Sequence, residues 1–248
     1  MEARLSDIDK ARFGVSTLKI SADANDRVDD LLAAQQDTQA QLSIIRVPSD
    51  HLHLVQDLEE KGAFLADSLV YFRKKQVSEY AEVLPVAYTY RLATPADAER
   101  VEELAKQTFQ GYLGHYHADR RLERADCDAV YESWAGNSCR DEAVASSVIL
   151  IERDQEIAAF ATLKIADNNA FEGVLFGVSP AHQGKGLYMS LMKLAENWGN
   201  ERKIRQMFVS TQVTNSTVQK AWCRLGFEPY KSYYTLHRWT TDGAEHVR

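Results

Sequence analysis

Residues Gln183, Gly184, Lys185 and Gly186 lie between an apolar strand end at Val178 and an apolar helical pattern that starts at Leu187 and runs through Met192. Glycines at 184 and 186 let the main chain approach an anion closely, and the free N–H groups of a following helix start point at it. A pyrophosphate suits such a turn, with Gln183, Gly184, Lys185, Gly186, Leu187 and Tyr188 as its contacts. A bare Gly-x-Gly usually serves an ordinary turn, so the assignment rests on its setting between strand and helix.

That setting, an apolar strand, Val178-x-Pro180, then Gln183-x-x-Gly186 and a helix, resembles the acetyl-coenzyme A signature of the GNAT superfamily of N-acetyltransferases. The signature is Gln or Arg, two residues, Gly, one residue, then Gly or Ala. Tyr188 departs from it at the last position, where the family prefers a residue without bulk, so its ring must point away from the cofactor or reshape the pocket. Over nearly its full length the chain is also similar to the dTDP-fucosamine acetyltransferase group within the superfamily. The matching features are Phe13 to Val15, the Tyr131, Trp134, Asn137 spacing, the glycine turn and the segment Val209 to Trp222. The resemblance implies a GNAT fold, acetyl-CoA as cosubstrate with no metal, and acetyl transfer to a primary amine, foremost that of a nucleotide-linked amino sugar. Another small amine or a protein N-terminus as acceptor, and an acyl-CoA-binding module without turnover, stay open.

Acetyl transfer from a thioester to an amine needs an unprotonated amine, aligned reactants, stabilisation of the developing oxyanion and a proton for the departing thiolate. The resemblance implies that the strand ending in Phe176 to Val178 splays from its neighbour and offers backbone N–H groups to the acetyl carbonyl and pantetheine; a plain core strand is the alternative. It likewise implies that Asn215 bonds the pantetheine, although Asn is equally a preferred helix N-cap. Glu172, at the start of the splayed strand, is the candidate base, with His237 and His115 as alternatives. The position of the family's acid, a tyrosine seven residues after Asn215, is Trp222 here, and an indole is no practical proton donor to a thiolate. Tyr233, ahead of Tyr234 and Tyr188, is the expected replacement; protonation through water and loss of turnover are the alternatives. On the acceptor side, Arg120, Arg121 and Arg124 can grip phosphate oxygens or form a solvated helix face. Tyr131 and Trp134 can stack on a sugar or base, or pack in a core.

Composition narrows the partners. The 248 residues carry a net charge of -7, and the pI is near 5.5. Such a surface does not favour a nucleic-acid backbone. Three cysteines without metal-ligand spacing fit a reducing compartment, and the chain lacks an apolar run of membrane-span length or a hydrophobic leader. A cytoplasmic protein acting on a small-molecule amine is expected, with no nucleic acid and no membrane; a homodimer is left open.

The elements that must hold these residues form an α/β chain with a mixed α+β sheet. At 45% hydrophobic residues, it is longer than a minimal acetyltransferase domain of roughly 150 residues. An N-terminal α/β unit is expected over 1–78: a strand at 12–21, a helix within 24–40, a strand at 42–47, a helix after an Asp50 cap ending at Gly62, and a strand at 68–74. A linker follows to Pro85, and a GNAT domain is expected over 86–241. It opens with a strand and a helix entered at Thr94-Pro95, continues through a helix holding Tyr131 and Trp134, and then forms an antiparallel meander of three strands. The glycine-turn helix, a strand near 205–213, a helix from Asn215 to Gly226 and a closing strand or strands complete it, with 242–248 as a frayed tail. Segments 42–64 and 207–227 share a strand–cap–helix–Gly pattern. The N-terminal unit is therefore either a degenerate half GNAT domain or a chance recurrence of a common motif.

Overall fold

The computed structural model describes residues 1–167 and 169–240; the tail at 242–248 and the end of the second expected unit at 241 lie outside the described residues. The strands are β1 (Glu2–Leu5), β2 (Thr17–Ser21), β3 (Leu42–Pro48), β4 (Phe64–Lys74), β5 (Thr89–Leu92), β6 (Ser147–Arg153), β7 (Glu156–Asp167), β8 (Ala170–Val178), β9 (Gln206–Gln212) and β10 (Glu228–Trp239). The helices are α1 (Asp7–Phe13), α2 (Val28–Asp37), α3 (Leu52–Glu60), α4 (Ala98–Thr108), α5 (His115–Ala118), α6 (Arg124–Arg140), α7 (Leu187–Glu201) and α8 (Ser216–Arg224). Among the described residues the ten strands form one mixed sheet in the order β1-β2-β3-β10-β4-β9-β8-β7-β6-β5.

Alternation along the strands sends side chains to two faces. In β6, Ile149 and Ile151 join the core under α7 and α8, whereas Val148 and Leu150 join the core under α4 and α6. A third core lies beneath α2 and α3, and a fourth beneath α5 and α6. Helices therefore cover both faces, and the sheet has one face toward α7 and α8 and another toward α4, α5 and α6. No described helix is long and apolar enough to cross a membrane.

The N- and C-terminal segments interlock. β10 lies between β3 and β4, antiparallel to both, and β4 lies between β10 and β9. β10 thus completes the sheet begun by the first segment, and β4 extends the sheet of the second. The stretch 77–85 has no regular element but is tied down along α7: Ser78 N–H donates to Glu196 Oε2 at 2.7 Å, and Tyr80 N–H to Asn197 Oδ1 at 2.9 Å. The buried Glu196 also pairs with Lys74 at 2.6 Å, which fastens β4 to the same helix.

Several local expectations need correcting. The strand expected from Arg12 begins only at Thr17, because Ser6 caps α1 through the Asp9 N–H and Gly14, at φ +68°, ends it. Asp7 and Asp9 in the first turn favour that helix electrostatically. Asp50 does not cap α3: His51 is the N-cap residue and makes no side-chain cap bond. The closing segment is one long strand, with irregular register against β4 at Pro229/Lys231 and Thr235/Leu236. Gly62, at φ +85°, does follow the end of α3, and β6, β7 and β8 do form an antiparallel meander.

Candidate active site

The glycine turn is positioned from both sides. Ser179 N–H returns to the Ala158 carbonyl, a single 3-10 turn spans Pro180–His182, and the Tyr88 hydroxyl meets His182 Nδ1 at 2.9 Å. Gly184 and Gly186 have φ of +74° and +81°, a region that side chains disfavour, and open space lies where a Cβ would stand. Gly186 is the N-cap of the 15-residue α7, and no side chain caps its first N–H groups. These donors and the bare glycine surface fit the pyrophosphate of a coenzyme. Gln183 and Lys185 are exposed, with Lys185 Nζ resting on the Ala181 carbonyl at 2.9 Å, while Leu187 is buried.

Beside this turn the sheet opens. β8 pairs in parallel with β9 only over Ala170–Gly173, opposite Gln206–Val209. Beyond that point β8 stays with β7 and β9 stays with β4, so 174–178 have one edge without a strand partner. A register shift between Thr162 and Leu163 falls at the parting, and Leu175 N–H turns to the Thr162 hydroxyl at 3.0 Å. Phe176 and Val178 lie on the freed edge.

On the α7 and α8 side of the opening, Phe176 packs on Tyr188 with ring centroids 5.8 Å apart. The indole N–H of Trp222 donates to the Tyr188 hydroxyl. Burial pushes the Tyr188 phenol above its ordinary pKa, and the Trp222 bond pulls it back in part. Asn215 caps α8 by accepting Val218 N–H at 3.4 Å, while its amide donates to the Thr211 hydroxyl at 3.1 Å.

On the opposite face sits a polar group of side chains. Glu172 accepts from the Ser210 hydroxyl at 3.5 Å; burial raises its carboxyl pKa, opposed by Arg46, Ser210 and Lys231. Tyr112 donates to Gln212, and burial pushes its phenol up to about 12. Tyr131 stacks on Phe109 at 5.0 Å and meets Tyr112 edge-on at 5.1 Å. Asp67 lies near both phenols, and its pKa is raised by burial. Tyr233 shares this face, edge-on to Tyr71 at 5.5 Å, with Lys231 Nζ 5.2 Å from its ring.

The structure therefore gathers Glu172, Tyr131 and Tyr233 on one face, and Phe176, Tyr188, Trp222 and Asn215 toward the other. Trp134, 39% exposed, and the exposed Arg120 stay outside both groups. Arg121 lies over the Trp239 and Phe64 rings, and Arg124 faces Asp128 at 3.9 Å. Tyr234 packs into the core beneath α2 and α3.

Sequence reading missed Arg46, Asp67, Tyr112 and Gln212, which come from four elements and share no motif. It also treated His115 and His237 singly. They meet at 2.9 Å, and His237 Nδ1 lies 2.9 Å from Asp119 Oδ2, which also accepts Trp239 N–H at 2.7 Å. An ionised Asp119 takes the His237 Nδ1–H, so a neutral His237 presents Nε2 to the Nδ1–H of His115. Among the described residues no group of three His, Cys, Asp or Glu could hold a metal ion.

Comparison with known proteins bears on this geometry. The model of the Acetyltransferase (GNAT) family matches residues 99–227, just over half of the chain. The spore coat polysaccharide biosynthesis protein SpsD of Bacillus subtilis (strain 168) is 22% identical over 204 residues, 81% of this chain and 68% of that protein. Streptothricin acetyltransferase of Streptomyces lavendulae is 25% identical over 173 residues, 64% of this chain and 92% of that one. Among solved structures, a GCN5-related N-acetyltransferase from Sphaerobacter thermophilus superposes with a TM-score of 0.68 at 12% identity, covering 96% of this chain and 76% of its own. A tandem GNAT protein from the clavulanic acid biosynthesis pathway, solved without AcCoA, gives 0.61 at 13% identity, covering 91% and 76%. The α/β mixed sheet expected from the sequence is thus the fold these structures share.

Proposed function

The chain belongs to the Acetyltransferase (GNAT) family, and on that premise we propose that it moves acetyl from acetyl-CoA to the primary amine of a nucleotide-linked amino sugar. Acetyl-CoA-dependent transfer is the family's activity. The observation that carries the site assignment is the parting of β8 from β9 next to an uncapped helix start, with the Glu172 carboxyl on the far side of the gap.

In this reading the helix start and Gly184–Gly186 hold the pyrophosphate, with Gln183, Lys185, Leu187 and Tyr188 around it. The freed edge at Phe176 and Val178 and the Asn215 amide hold the pantetheine. Acetyl-CoA supplies the acyl group as a thioester. Glu172 takes a proton from the acceptor ammonium; the amine nitrogen then bonds to the acetyl carbon, sheds its second proton to water, and the carbon–sulfur bond breaks. Tyr233 gives the thiolate its proton, and Tyr188 is the alternative donor. A carboxyl with a raised pKa is better matched to taking up an amine proton near neutral pH than an ordinary one.

The sugar assignment is supported by a lining that pairs aromatic rings with hydrogen-bonding groups, Tyr131 and Tyr112 with Asp67 and Gln212, and by the polysaccharide role in the name of SpsD. We read 1–78 as an N-terminal unit and 86–241 as the acetyltransferase domain, with the first unit walling the acceptor side. A second reading, another small amine as acceptor, draws on the similarity to streptothricin acetyltransferase. Thiol release from acetyl-CoA, measured with nucleotide-linked amino sugars beside simple amines, separates them. Release with an amino sugar is expected; release with simple amines alone would overturn the sugar assignment.

A further inference from the structure

On the face that carries Glu172, strands β3, β10 and β4 set Arg46, Thr235 and Asp67 in one cross-strand row. Thr235 stands opposite Arg46 in one ladder and opposite Asp67 in the other. All three are short of partners. The Arg46 side chain makes no ion pair or hydrogen bond among the described residues. Thr235 is fully buried and its hydroxyl has no partner; Asp67 Oδ1 accepts Ser68 N–H at 2.7 Å, while the buried Oδ2 has the Gln212 side chain nearby but makes no well-formed hydrogen bond.

Buried polar groups in folded proteins nearly always find partners, and groups that do not are costly to keep. Two such atoms in one row, the Thr235 hydroxyl and Asp67 Oδ2, beside the half-buried Arg46 guanidinium, mark hydrogen-bonding capacity that the fold itself leaves unused. Arg46 lies within electrostatic reach of Asp67, Glu172, Tyr131 and His115, so it stands at the centre of this face. An arginine kept only to neutralise Asp67 or Glu172 would close on one of them, yet it is ion-paired with neither. Two of the three residues, Arg46 and Asp67, come from the N-terminal segment, and Thr235 comes from the strand that interlocks with it.

We propose that the Arg46–Thr235–Asp67 row is the acceptor-recognition subsite, and that it selects an amino sugar carrying a phosphate ester. The Arg46 guanidinium takes the phosphate oxygens through paired N–H donors, and Asp67 with Thr235 takes hydroxyl groups of the ring. Tyr112, on the turn between α4 and α5, is within electrostatic reach of Asp67 and borders the row. The assignment rests on the acetyltransferase reading for the reaction, and adds that the N-terminal segment sets acceptor specificity.

The test is calorimetric titration of the whole chain with glucosamine and with glucosamine 1-phosphate, at saturating coenzyme A so that the glycine turn is filled. The phosphate ester is expected to bind at least about tenfold tighter than the neutral-tailed amine. Arg46→Gln should erase that advantage and Arg46→Lys should keep part of it. Thr235→Val should weaken both probes several-fold while the thermal midpoint stays level or rises, because it deletes an unpartnered buried hydroxyl. Equal binding of the two probes, no binding of either, a preference that survives Arg46→Gln, or unchanged affinity in Thr235→Val overturns the subsite. Thiol release and coenzyme A binding in the same preparations report separately on the acetyltransferase reading, which fails only if those are lost.

Discussion

The indole N–H of Trp222, on α8, donates to the hydroxyl of Tyr188, in the first turn of α7, at 2.9 Å. Both residues depart from the family pattern, and this bond makes the two departures one unit. Trp222 is 2% exposed and packs on Phe72 at 5.3 Å, while the Tyr188 ring turns inward beside Phe176. The bulk at position 188 is thus directed at the core tryptophan.

Tyr188→Phe should leave the Trp222 N–H buried without a partner and cost about 1–3 kcal/mol. At this chain length each kcal/mol lowers the thermal midpoint by roughly 2–4 °C. Adding Trp222→Phe should cost less than the sum of the single changes, since both remove the same bond. Thermal unfolding of the four proteins of the cycle checks this; strictly additive losses would show that the pair is not coupled.

Gly186→Asp should weaken coenzyme A binding by at least about tenfold, because it forces a side chain into a φ of +81° and sets a carboxylate against the pyrophosphate. Gly186→Ala, with the strain but without the charge, should bind between the two. Calorimetry on the folded variants decides, and full affinity in Gly186→Asp would remove the glycine turn from the coenzyme site.

Glu172→Gln should lower turnover by about 100-fold or more if it is the base, with coenzyme affinity little changed. The acid limb of the wild-type pH–rate profile should lie above the ordinary carboxylate range, because burial raises the Glu172 pKa. The two candidate acids part in the same assay. Tyr233→Phe should slow turnover without loss of stability, whereas Tyr188→Phe should lose stability first; normal turnover in Tyr233→Phe would pass the acid role to Tyr188.

Burial, with His237, Arg46, Lys19 and His117 nearby, holds the His115 pKa well below the ordinary imidazole value of 6.5. The unfolded chain therefore binds a proton there before the folded chain does. The stability that His115 contributes in its neutral form is complete above about pH 6.5 and is lost as the pH falls below it, at up to about 1.4 kcal/mol per unit. Asp119, whose pKa is lowered from 3.8, contributes stability that is lost only at more acid pH. Glu172 and Asp67, whose pKa values are raised from 4.5 and 3.8, act in the opposite sense, losing stability as the pH climbs from there toward their folded-state values. Comparing thermal midpoints of wild type and His115→Gln between pH 7 and 5.5 isolates the histidine: the variant should show the shallower decline, and parallel curves would refute the effect.

The glycine turn, the meander of β6 to β8 and the helix that follows were legible because each is written locally. Period-two alternation, a Gly at positive φ and a helix start lie within a few residues of one another. Glu172, Phe176 and Asn215 were named by the resemblance to the acetyltransferase superfamily rather than by any pattern of their own. What the sequence by itself determined is this set of contiguous pieces, including the strand, glycine turn and helix start on which the proposed coenzyme site rests. Tertiary structure alone decided that β10 enters between β3 and β4, because strand order depends on pairing between residues far apart in the chain and leaves no periodic trace. That interlock brings Arg46 and Asp67 from the first segment against Thr235 from the last strand, and it joins His115 to His237 and Asp119. A face assembled from such distant side chains has no spacing to read, since its geometry exists only once the sheet has closed.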